Sequence, residues 1–155
     1  MVLKNSVNGP EFSYRGIFMD ITKYPQFELY LLTLHLLMLK DQLVPDGCSD
    51  RCINSTIINR AYFSSFLYCL LWLEDVKKFK PIPVLKLAPD ERISEHTQVR
   101  NALYNFGEKR SNVELSKLAE LRKKADYDPF IDITPEEVTD AVHHMEKIFN
   151  HLKFE

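Results

Sequence analysis

The chain has 155 residues, 45% hydrophobic and 27% charged, with a net charge of −2 and a pI near 6.2. A domain of this size buries roughly two thirds of its unfolded surface, so one core suffices. The apolar content excludes disorder. The slight acidity excludes a protein that coats DNA through bulk positive charge, although a local basic patch is still allowed.

Residues 1–23 hold Gly9, Pro10 and Gly16 among scattered aromatics with no period. They read as an irregular arm that Phe12, Tyr14, Ile17 and Phe18 can pack down, and residues 24–155 read as a single helical domain. Pro25 suits a first helical turn, where its missing N–H costs nothing, and the leucines that follow predict a helix to about Leu43. Glu28, His35, Lys40 and Asp41 make that run too polar to cross a bilayer, and "MVLKNSVNGPEF" lacks the apolar core of a signal peptide. Cys48, Cys52 and Cys69 are an odd number with no second C-x3-C pair and no nearby histidine. They point to free thiols in a reducing interior rather than zinc, and the expected location is cytoplasmic.

Pro45 and Gly47 break the first helix, and Ser49 or Asp50 caps a second, running from about Arg51 to Phe79. Between Ala61 and Leu73 it is apolar on nearly every face, which places it in the middle of the fold. Three prolines within "KPIPVLKLAP" predict a connecting loop over about 80–91. A third helix fits from about Ile93 to Lys109, interrupted near Gly107. Ser111 or Asn112 then caps a fourth, whose Val113, Leu115, Leu118, Leu121 and Ala125 make an apolar stripe. Thr134, Pro135 and Glu137 form a capping box that opens the last helix, with Val138, Ala141, Val142, Met145, Phe149 and Leu152 facing inward. No segment alternates at period two, so the fold class is all-α, an up-and-down bundle of about five helices.

Arg60 stands at the mouth of the most hydrophobic segment and needs a partner, for which Asp126 at the end of the fourth helix is the candidate. The pair either locks two helices together or places the Arg60 guanidinium in a cleft for a phosphate. His96 and Arg100 lie one turn apart on one helical face, an arrangement suited to proton transfer at a phosphodiester, or to simple backbone capping by the histidine. Asn101 and Asn105 can add polar contacts, and Arg122 and Lys123 form a basic face that can reach RNA. His143, His144 and His151 lack the i, i+4 geometry of a metal pair, so neither a metal nor a cofactor is expected. Four glycines and no Walker, G-x-S-x-G or G-x-G-x-x-G motif exclude a glycine-built phosphate cradle.

"NRAYFSSF" at 59–66, "EHTQVRNALYNFG" at 95–107, "LSKLAELRKKADYD" at 115–128 and "ITPEEVTDAVHHMEKIF" at 133–149 occur in an informative order. Together they resemble a small stand-alone group of the HEPN superfamily (higher eukaryote and prokaryote nucleotide-binding), whose members read N-R-A-Y-Y, H-S-G-V and ADYD in turn. The resemblance covers roughly residues 51–152. It implies a helical bundle, often a homodimer, and either a metal-independent ribonuclease or a nucleotide-binding partner of a nucleotidyltransferase, as in toxin–antitoxin and defence systems. This chain has Leu67 where such proteins can carry a histidine seven residues after the arginine, and "RNALYNFG" contains no histidine. The leading expectation is therefore a module that binds RNA or nucleotide without a standard catalytic site. The alternative is a ribonuclease whose site is assembled across helices from Arg60, His96 and Asp126, and the third reading is a helical protein-interaction module. Tyr62, Arg100, Asn101, Arg122 and Tyr127 are the expected ligand contacts.

Overall fold

The computed structural model of the chain describes residues 24–43, 49–128 and 130–154. The expected N-terminal arm and Cys48 lie outside them. Five helices follow in order, α1 (Pro25–Leu43), α2 (Asp50–Lys77), α3 (Glu95–Asn105), α4 (Lys109–Tyr127) and α5 (Pro135–His151), and none of the described residues is in a strand. No described helix is long and apolar enough to cross a membrane.

The all-round apolar character of α2 has the consequence expected of it: the helix packs against α1, α3, α4 and α5. Ile57, Ile58, Ala61, Cys69 and Leu73 are fully buried along it. Burial also pushes the Cys69 thiol far above its ordinary pKa, so it acts as a small hydrophobe. Ser49 Oγ accepts from the Cys52 N–H to start α2, and Lys78 in a left-handed conformation (φ 55°) ends it.

Arg51, one residue into α2, plays a part that no motif announces. Its Nη2 donates to the carbonyls of Asp128 (2.9 Å) and Ala125 (3.3 Å), and its Nε to that of Ile131 (3.1 Å). Three carbonyls at the C-terminal end of α4 and in the connection after it are thereby satisfied by one cation, which also suits the negative pole of the helix. Asn54 Nδ2 donates to Ile133 O one turn further on (3.0 Å). The α4–α5 connection is thus fastened to the start of α2.

The capping box of Thr134 and Glu137 forms as its sequence requires. Burial alone would raise the Glu137 pKa, but bonds from Lys124 and the Thr134 N–H hold it below the ordinary value, and the Lys124 bridge (2.7 Å) ties α4 to α5. All six of the expected inward residues of α5 are buried. On α4 the stripe holds at Leu115, Leu118 and Ala125, but Val113 is 48% exposed. The reason is helical phase: two residues are about 200° apart, so Val113 points away from Leu115. The helix also begins earlier than expected: the N-cap is Glu108, and Ser111 lies buried in the first turn instead of capping it. The 80–91 connection contains two 3-10 turns, and Gln98 fastens its start by donating to Ile82 O and accepting from Ile82 N, both at 2.8 Å.

Candidate functional site

The face of α2 carrying Asn59, Tyr62, Phe63 and Phe66 meets the start of α3 and the C-terminal half of α4. Spacing of three and four residues puts these side chains on one stripe. Tyr62 is 2% exposed and Phe66 7%, so the stripe forms the floor of a corner whose rim is polar.

His96, in the first turn of α3, lies on that floor. Its ring centroid is 4.1 Å from that of Phe66 and 5.6 Å from that of Tyr62, and its Nδ1 is 2.7 Å from the Tyr62 hydroxyl. A phenol is a stronger acid than a neutral imidazole, so the Tyr62 hydroxyl donates and Nδ1 accepts. That fixes the proton of the neutral ring on Nε2, which becomes a hydrogen-bond donor at the rim. Burial lowers the His96 pKa, the charges of Arg122 and Arg100 lower it further, and only Glu95 opposes. Burial likewise raises the Tyr62 pKa against the pull of the same two arginines. Both rings are therefore neutral near pH 7.

Two guanidinium groups act on the corner, Arg122 from over its rings and Arg100 through its charge on Tyr62 and His96. Arg122 lies 5.1 Å from the Tyr62 ring centre and 4.7 Å from that of Phe63, a cation–π position that also fixes its plane. Its Nε donates to Asp126 Oδ2 at 3.0 Å, and Asn59 Nδ2 donates to both oxygens of the same carboxylate at 3.1 Å. Asp126 thus holds Arg122 in place, and Asn59 holds Asp126. Arg100, one turn along α3 from His96, has its Nε buried with no partner among the described residues. A buried donor without an acceptor is costly, and a ligand oxygen would satisfy it.

This arrangement corrects the expected pairing of Arg60 with Asp126. Adjacent residues of a helix point about 100° apart, so α2 offers only one of Asn59 and Arg60 to α4. Asn59 occupies that register, and Arg60 is half-buried without an ion pair to any described carboxylate. The carboxylate orients an arginine as anticipated, but the arginine is Arg122, from its own helix. Of the other expected contacts, Tyr62, His96, Arg100, Arg122 and Asp126 come together. Asn101 does not: with Asn105, Gln98 and Phe106 it lines a separate cavity of about 290 Å³. Tyr127 is 68% exposed and takes no part in the corner's bonds. Asn59 was missed, although it opens "NRAY", because an amide before an arginine carries no chemical signal of its own.

The depressed His96 pKa makes stability depend on pH in a definite direction. An unfolded histidine titrates near 6.5. Below that value the unfolded chain takes up a proton that folded His96 resists, so stability falls with pH until the folded group also protonates. Above it this contribution is flat. Urea midpoints measured from pH 8 to pH 5 should drop less in His96→Asn than in the unsubstituted protein. Equal drops would remove His96 from the titration.

Compared with protein-family models, with curated proteins and with solved structures, the chain matches none of them.

Proposed function

We propose that the α2–α3–α4 corner binds a phosphate of RNA or of a nucleotide, within a HEPN-type bundle that lacks the standard arginine–histidine catalytic pair. The observation that carries this reading is the bond from Tyr62 to His96 Nδ1, with Arg122 over the neighbouring rings and the charges of Arg100 and Arg122 both acting on His96. It presents one neutral N–H donor and two permanent cations, a combination suited to a phosphate. The arrangement of tautomer and charge favours binding over catalysis, since an Nε2 that already carries its proton cannot serve as a base. Five helices with "NRAY", "RNALYNFG" and "ADYD" on α2, α3 and α4 support the family reading. A nucleotidyltransferase-type protein or a second copy of this chain is the partner that reading implies.

The test is incubation of the purified chain with labelled single-stranded RNA and with nucleotides in EDTA, following retention and chain length together. Saturable retention of intact RNA or nucleotide is the expected result. Metal-independent cleavage would establish the ribonuclease alternative instead, and no retention of either ligand would contradict both.

A further inference from the structure

A second cluster lies at the other end of α4, about 17 Å along the helix from Arg122 at about 1.5 Å per residue. The start of α4 and the end of α5 line a cavity of about 640 Å³, with Lys109, Arg110, Ser111, Glu114, Lys147 and His151 around it. The N-cap Glu108 does not cap: its side chain makes no bond to the first turn, and its Oε2 is instead 3.1 Å from His151 Nε2. Among the described residues the first-turn N–H groups of α4 have no side-chain cap, and they form the positive pole of a helix of 19 residues.

Ser111 supplies an independent observation. It is 1% exposed, yet its Oγ has no hydrogen-bond partner among the described residues. A hydroxyl buried beside a helix N-terminus and a cavity, with nothing to bond to, points to an acceptor brought by a ligand. Arg110 and Lys147 add positive charge, and Lys109 Nζ is steadied over the Tyr104 ring at 5.2 Å. Glu114 is engaged by His144 Nδ1 and lies 4.0 Å from both Lys117 and Lys147.

We infer that this cavity is a binding site for a small phosphate monoester, separate from the α2–α3–α4 corner. The anionic group meets the α4 N-terminus, the Ser111 hydroxyl, Arg110 and Lys147. The volume exceeds what a bare phosphate fills and falls in the range of pockets for small organic ligands. Carboxylates of Glu108 and Glu114 near the rim oppose a continuous polyanion but accept hydrogen bonds from hydroxyl groups, so a sugar phosphate or mononucleotide fits better than a nucleic-acid strand.

Calorimetric titration of the full chain with inorganic phosphate and with a nucleoside 5′-monophosphate, in chloride buffer, tests the assignment. The monophosphate should bind saturably and at least about tenfold tighter than inorganic phosphate. Lys147→Met, at a position whose side chain is 44% exposed, should weaken it about tenfold or more without altering the fold. Ser111→Ala removes an unbonded hydroxyl, so its melting temperature without ligand should hold or rise while affinity falls. Arg122→Met, which disables the corner site, should leave this binding intact. Absence of saturable binding, a monophosphate no tighter than inorganic phosphate, affinity unchanged in both Lys147→Met and Ser111→Ala, or loss of all binding in Arg122→Met would each overturn the assignment.

Discussion

Replacing Arg122 with methionine should weaken RNA or nucleotide binding by about 10- to 100-fold, the worth of one charge-assisted hydrogen bond of about 1.5–3 kcal/mol. The stem of methionine still covers Tyr62 and Phe63, so the melting temperature should change little, because the partly exposed Arg122–Asp126 pair contributes little stability. The salt dependence gives an independent reading. Two arginines on a single-stranded phosphate backbone correspond to a slope of log affinity against log salt of about −1.4, and removal of one should bring it to about −0.7. Arg60→Met provides the contrast, since Arg60 is outside the hydrogen-bonded set and should leave both affinity and slope nearly unchanged. If Arg60→Met lost binding and Arg122→Met kept it, the roles assigned to the two arginines would be reversed.

The largest stability effect is expected at Tyr68. The side chain is 2% exposed, stacks on Phe149 with ring centres 4.0 Å apart, and meets the edges of Phe27 (5.8 Å) and Phe154 (5.4 Å). Its hydroxyl donates to Leu152 O at 2.9 Å, just beyond the end of α5. Tyr68→Ala leaves a cavity where α1, α2 and α5 converge and should cost about 3–5 kcal/mol, a large share of the stability of a domain this size. Tyr68→Phe keeps the rings packed and removes the bond to the buried Leu152 carbonyl, for about 1–2 kcal/mol. Chemical denaturation of the two variants separates the contributions. A loss in Tyr68→Phe as large as in Tyr68→Ala would mean that the hydroxyl, not the ring packing, holds α5 to α2.

Helices were legible in the sequence because their signals are local. The prolines at 25 and 135, the Ser49 cap and the Thr134–Glu137 box act within one turn, and the apolar α2 could only be central. The start of α4 was misplaced for the same local reason: Ser111 and Asn112 look like caps, but the turn at Gly107 (φ 90°) lets the helix begin at Lys109. Gly107 needs that positive φ, which a residue with a side chain adopts at a cost.

The candidate site was legible by residue type but not by pairing. His96, Arg100, Arg122 and Asp126 stand out by chemistry and spacing and Tyr62 by the resemblance of "NRAY", whereas the choice between Asn59 and Arg60 depends on the rotation of α2 relative to α4. A one-residue change in that rotation would exchange them, and no local feature of the chain records it. The Arg51 clamp was missed because its acceptors are backbone carbonyls more than 70 positions away, which any residue type supplies. The first helix carries more apolar residues, "LYLLTLHLLML", than one buried stripe needs, and Leu31, Leu32, Met38 and Leu39 of α1 are exposed. A second copy of the chain docking there is a proposal that sedimentation can test, and a species near 18.2 kDa at micromolar concentration would count against it.

Histidine-selective NMR of the ring nitrogens, recorded while single-stranded RNA or a nucleotide is added in EDTA, tests the phosphate-binding corner most directly. Without ligand, His96 should be in the neutral Nε2–H form at pH 7. With ligand, its Nε2–H should shift saturably, while exposed His35 and His143, far from the corner in the chain, stay in place. Binding that leaves the His96 signals unmoved, or a free ring protonated on Nδ1, would contradict the account.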